Sequence, residues 1–169
     1  MSIEELKVAY YNEALALAQR ALVSGLIVCA VAYSMVISKE GKTNYTIPFF
    51  NIELSSERTF TIALLVLFFI FGLICSYGIQ KANRIRQSVA DKQIALFLLE
   101  SPNILYSNLY IRATLYGTVF SAGAGLIKSL TGLDTWAVYL SGSILAGPYF
   151  FALYSSNPNN RKMNNEDHP

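Results

Sequence analysis

Residues 59–80 read TFTIALLVLFFIFGLICSYGIQ, 22 residues without a charge. A helix that crosses a bilayer needs about 20 mostly apolar residues, with roughly 17 as the lower limit. This run meets the requirement alone, and it decides how the rest of the chain is read. Three further uncharged windows exist: Ala21–Ser38, Ala113–Ile127 and Thr135–Asn160. The first and last are long enough to span. The third is short, but reaches Leu133 if Lys128 snorkels its ammonium toward the headgroups.

The expectation is an all-α integral membrane protein with four transmembrane helices, at about 21–38, 59–80, 110–130 and 135–154. They form one domain over residues 1–156, followed by a polar, Asn-rich tail at 157–169 that is expected to be disordered. Composition agrees: 53% of the residues are apolar and only 14% charged, where soluble domains carry roughly 25% charge. A net charge of +2 is too small to argue for nucleic acid.

The distribution of charge orients the chain. With four spans, one side receives Lys7, Arg20, Lys81, Arg84, Arg86, Lys92, Arg112, Arg161 and Lys162. The other receives Lys39, Lys42, Arg58 and Lys128. The positive-inside rule then places both termini in the cytoplasm. Glu4, Glu5 and Glu13 make residues 1–20 a poor signal-peptide n-region, so the first span reads as an uncleaved anchor.

Between the runs, local signals are specific. Ser2-x-x-Glu5 is a capping box, and nothing breaks the helix it opens before Gly41, so one long helix is expected from about 3 to 38. Tyr45, Ile47 and Phe49 alternate, then Phe50, Ile52 and Leu54 alternate out of phase beside Pro48. That slip predicts a short bulged hairpin or an interfacial loop. Residues 82–101 read as an amphipathic cytoplasmic helix stopped by Pro102. Gly132 fits a left-handed helix cap and Asp134 an N-cap, making the last two spans a tight antiparallel hairpin. Trp136 and Tyr139 mark one membrane boundary, and Tyr106, Tyr110, Tyr149 and Tyr154 the other.

Small residues recur every fourth position: Ala113, Gly117, Ser121 and Gly125 in the third span, Ser143 and Gly147 in the fourth, Ala21, Gly25 and Cys29 in the first. Such strips let helix backbones approach closely in lipid. The first-span strip lacks an evident partner in the chain, which predicts a homo-oligomer. Lys81, Arg84 and Arg86 form a basic cluster at the headgroups, where anionic lipid is attracted.

Chemistry is sparse. The one histidine, His168, is the penultimate residue, and Cys29 and Cys75 fall inside spans as small buried residues. No triad, metal cluster, nucleotide motif or cofactor site is expected. Ion-coupled transporters hold ionisable groups at depth, and none falls near the centre of these spans.

In layout, the chain resembles the small four-span partners encoded in bacterial anti-phage defence modules and the four-span immunity proteins against pore-forming bacteriocins. The resemblance covers the general layout of the whole chain and no motif, so it assigns no site residue. It implies a conflict-related role in a bacterial inner membrane. The reading is therefore a non-enzymatic scaffold or sensor that oligomerises and works with a cytoplasmic protein partner. A pore former or bacteriocin immunity protein is the alternative, and a small transporter ranks third.

Overall fold

The computed structural model describes residues 3–37, 45–47, 49–50, 52–98, 103–133 and 135–156. It is a helix bundle with one small β-hairpin. Helix α1 runs unbroken over Ile3–Ile37, with Glu4 and Glu5 in its first turn, where the positive end of the helix dipole favours them. Strands β1 (Tyr45–Ile47) and β2 (Ile52–Leu54) pair antiparallel with Ile47 opposite Ile52. The phase slip between them is the turn, in which Phe49 takes a left-handed φ of 75°.

Helix α2 occupies Glu57–Gln87, capped by the Ser56 side chain. It runs on past the expected span end. The chain then breaks at 88–91 and re-enters a six-residue helix, α3 (Lys92–Phe97), whose N-cap Asp91 accepts from the amides of Gln93 and Ile94. The amphipathic helix expected over 82–101 is thus two pieces, because Ser88 and Asp91 satisfy the helix ends that meet there. A 3-10 turn at Ile104–Tyr106 leads into α4 (Leu109–Thr131), which ends at Gly132 with φ 68°. Helix α5 (Trp136–Ser155) follows. Ser2, Gly41, Pro102, Asp134, His168 and the 157–169 tail lie outside the described residues.

Contacts set the directions. Lys7 reaches the Ser88 carbonyl while Ala14 and Ala18 abut Gly78, so α1 and α2 are antiparallel. Arg112 meets Leu153 and Gly123 meets Gly142, so α4 and α5 are antiparallel too. Tyr45 stacks on Phe60 at 5.3 Å and Phe49 meets Phe71 edge-on at 5.5 Å, which lays the hairpin on α2.

The count of spans is corrected. Among the described residues three helices, not four, are both long and apolar enough to cross a membrane: residues 3–34 of α1, α2 and α5. Helix α4 has the length, at 23 residues. It lacks the apolarity, because its Thr, Tyr, Ser and Gly residues dilute the apolar ones and Arg112 and Lys128 charge its ends. An odd number of crossings leaves the chain ends on opposite faces, so the placement of both termini in the cytoplasm falls with the fourth span. Within the most apolar stretch of the three qualifying helices, 44%, 39% and 39% of residues are buried by the protein. The remainder needs cover from lipid, and the chain is a membrane-embedded helical bundle.

Candidate functional site

Three places hold the residues on which a function could rest: the centre of the bundle, one end of it, and its outer surface. At the centre, Tyr149 is fully buried and its hydroxyl donates to the Phe68 carbonyl at 2.9 Å. Its ring lies across two glycines. A Cβ on Gly25 would collide with the Tyr149 hydroxyl, and one on Gly72 would stand 2.9 Å from Tyr149 Cε2. Phe68 packs beside the ring at 4.9 Å. Pro148 precedes it inside α5, where a missing N–H leaves one carbonyl of the preceding turn without its usual donor.

This arrangement relocates two expectations. Tyr149 belongs to the core and not to a membrane boundary. The strip of Ala21, Gly25 and Cys29, expected to need a second copy of the chain, is buried within the chain. Cys29 and Cys75 are both buried free thiols.

At the end where α2 finishes, a polar stitch ties Leu98 and residues 103–106 to α1 and to the end of α5. Tyr11, fully buried, donates to the Leu98 carbonyl at 2.8 Å and lies 3.0 Å from the Tyr106 hydroxyl. Asn103 donates to Gln19 at 2.8 Å, and Ser156 to the Leu105 carbonyl at 2.8 Å. Asn83 donates to the Ser155 carbonyl at 3.2 Å. Arg112 is 9% exposed; it donates to the Leu153 carbonyl and engages the Tyr116 hydroxyl, leaving its Nε without an acceptor. Buried polar groups need such partners, since an unmet donor costs about 1–3 kcal/mol.

The basic cluster divides. Lys81 and Arg84 are exposed and prolong the outward stripe of Ile62, Val66, Ile70, Leu73 and Tyr77. Arg86 turns inward and is 3% exposed. Along α5, the exposed aromatics Trp136 and Tyr154 stand roughly 27 Å apart at 1.5 Å per residue. A hydrocarbon core is about 30 Å thick, so these rings sit where headgroups begin.

On the outer surface, α4 presents Ala113, Gly117 and Ser121 outward, with Gly125 half-buried. Nothing lies within 4 Å of a Cβ placed on Gly117 or Gly125, nor on Gly147 of α5. Ser121 bonds to the Tyr33 hydroxyl, and Ser143 back-bonds to the Tyr139 carbonyl at 2.9 Å. The close α4–α5 crossing runs instead through Gly123 and Gly142. A Cβ on Gly142 would stand 2.5 Å from the Ala124 amide nitrogen, and one on Gly123 2.7 Å from the Gly142 oxygen. Ala122-Gly-Ala124 was the available signal for that edge, a second run of small residues beside the fourfold strip.

Among the described residues, no group of three His, Cys, Asp or Glu stands together to hold a metal ion. No protein-family model, curated protein or solved structure matches the chain.

Proposed function

We propose that the protein is a non-enzymatic membrane scaffold or sensor that assembles as a homo-oligomer and works with a soluble protein partner, in a setting such as anti-phage defence. The observation that supports assembly is the outward edge of α4. Its small residues Ala113 and Gly117 are exposed and face away from the bundle, while at Gly25 of α1 the space is filled by Tyr149. Helix α4 lies against α5, one of the three qualifying helices, through Gly123 and Gly142, and a small-residue edge on its other side offers a neighbouring copy the same close backbone approach. A symmetric pairing of this edge with its copy is the simplest closed arrangement.

The partner reading draws on the stitched end. Leu98, Asn103 and Leu105 are held by side-chain bonds to α1 and to Ser156, yet α3 presents Leu96 and Phe97 outward. An exposed apolar pair beside such anchored positions suits recognition of a partner. The test is mass measurement in lipid nanodiscs. The wild type should give a multiple of the 18.7 kDa chain, and Gly117→Leu a monomer with an unchanged melting temperature. A wild-type protein monomeric at every concentration would end the proposal.

A further inference from the structure

The outer face of α1 carries an open depression of about 510 Å³ lined by Ala16, Gln19, Arg20, Val23 and Ser24. Its location in depth follows from the α1–α2 contact. Ala18 packs against Gly78, so Arg20 lies roughly 7–8 Å nearer the bundle centre than Lys81, at 1.5 Å per residue. Lys81 and Arg84 end the lipid-facing stripe of α2, so the depression opens into the lipid zone just below the headgroups.

Arg20 is exposed there, and among the described residues no carboxylate pairs with it. A cation at membrane depth is costly unless something compensates it, and an unpaired one marks a site by default. The surroundings are two-sided. Gln19 and Ser24 give the depression polar edges, while the exposed Leu17, Val23 and Ile27 continue it along α1 as an apolar track.

We propose that this depression binds one anionic phospholipid of the surrounding bilayer. The lipid's phosphate is held by the Arg20 guanidinium, which reaches up toward the headgroups along its own aliphatic stem, and an acyl chain lies along Val23 and Ile27. Charge complementarity selects the ligand. A zwitterionic lipid offers the same tails but surrounds its phosphate with its own cation, and so competes poorly for the guanidinium. The bidentate fit of guanidinium to phosphate adds geometric preference. Lys81 and Arg84, exposed on α2, contribute a diffuse attraction at the rim and no groove.

The experiment uses the full chain in nanodiscs of phosphatidylcholine mixed with phosphatidylglycerol, released into mild detergent for native mass spectrometry. The wild type should retain one phosphatidylglycerol in preference to phosphatidylcholine. Arg20→Gln should weaken that retention about fivefold, the share of one basic residue, while Lys81→Gln lowers it less. Val23→Trp, which fills the groove and leaves the charge, should also release the lipid, so the idea survives a failure of either variant to fold. Equal retention of the two lipids by the wild type, or undiminished retention in both Arg20→Gln and Val23→Trp, would overturn it. Because the site lies on α1, loss of lipid without loss of assembly separates it from the oligomer proposal.

Discussion

Tyr149 lies across Gly25, with its hydroxyl occupying the space that a side chain at Gly25 would need and donating to the Phe68 carbonyl. One ring thereby ties α5 to both α1 and α2. Gly25→Ala must push that ring aside. Overpacking of this kind costs about 1–3 kcal/mol, and a Leu should prevent the native packing altogether. Thermal unfolding in detergent should show Gly25→Ala clearly destabilised, and Gly25→Leu should damage the monomer's own fold. A Gly25→Ala protein as stable as wild type would remove the ring from its central role.

Tyr149→Phe isolates the hydroxyl. It keeps the ring over both glycines and deletes one buried hydrogen bond, so the expected loss is about 1 kcal/mol. Tyr149→Ala removes the ring as well and should cost about 3–5 kcal/mol. The two variants, measured in the same urea titration, should differ by several-fold in their effect.

Two glycines in neighbouring helices should respond oppositely to alanine. At Gly142 a Cβ meets the Ala124 backbone, and at Gly117 it meets nothing. Gly142→Ala should destabilise the bundle by about 1–3 kcal/mol. Gly117→Ala should be neutral or gain up to about 1 kcal/mol from helix propensity in the isolated chain. Equal losses at both positions would mean that α4 is rotated from the orientation described.

The thiols should be silent in the folded protein. Cys29 and Cys75 are buried, so a polar maleimide should label neither in the bilayer and both after denaturation. Rapid labelling of the native protein would show that the α1–α2 seam opens.

How much of this was legible in the sequence depends on the kind of signal. Uncharged runs located the long helices, because charge is excluded from lipid, and Gly132 announced its left-handed cap. The run in α4 misled for the same reason that it was noticed. It lacks charge over 113–127, but its Thr, Tyr, Ser and Gly residues make it too polar to count as a span. Rotation of the helices was not legible. In a soluble bundle an apolar stripe marks the inward face, but here lipid and protein interior are equally apolar. The fourfold strip at 113–125 and the run at 122–124 therefore looked alike, and only packing shows that Gly123 and Ala124 meet α5. Tyr149 was read as a boundary residue because tyrosines favour interfaces; that Gly25 and Gly72 leave room for its ring depends on three helices at once. Arg86 was grouped with Lys81 and Arg84 by proximity in sequence, though on a helix positions 84 and 86 face different ways. The break at 88–91 was within reach, since Asp91 is a recognisable N-cap.

In the proposed assembly, copies of the chain meet along the outward edge of α4. Cysteine cross-linking in the membrane reads that contact, with Gly117→Cys and Ile144→Cys introduced singly and the two buried native thiols left in place. Gly117 lies on the proposed contact edge, and Ile144 is an exposed lipid-facing position of α5. Mild oxidation should link Gly117→Cys into a covalent dimer and leave Ile144→Cys monomeric. Linkage at Ile144→Cys with none at Gly117→Cys, or at neither position, would contradict it.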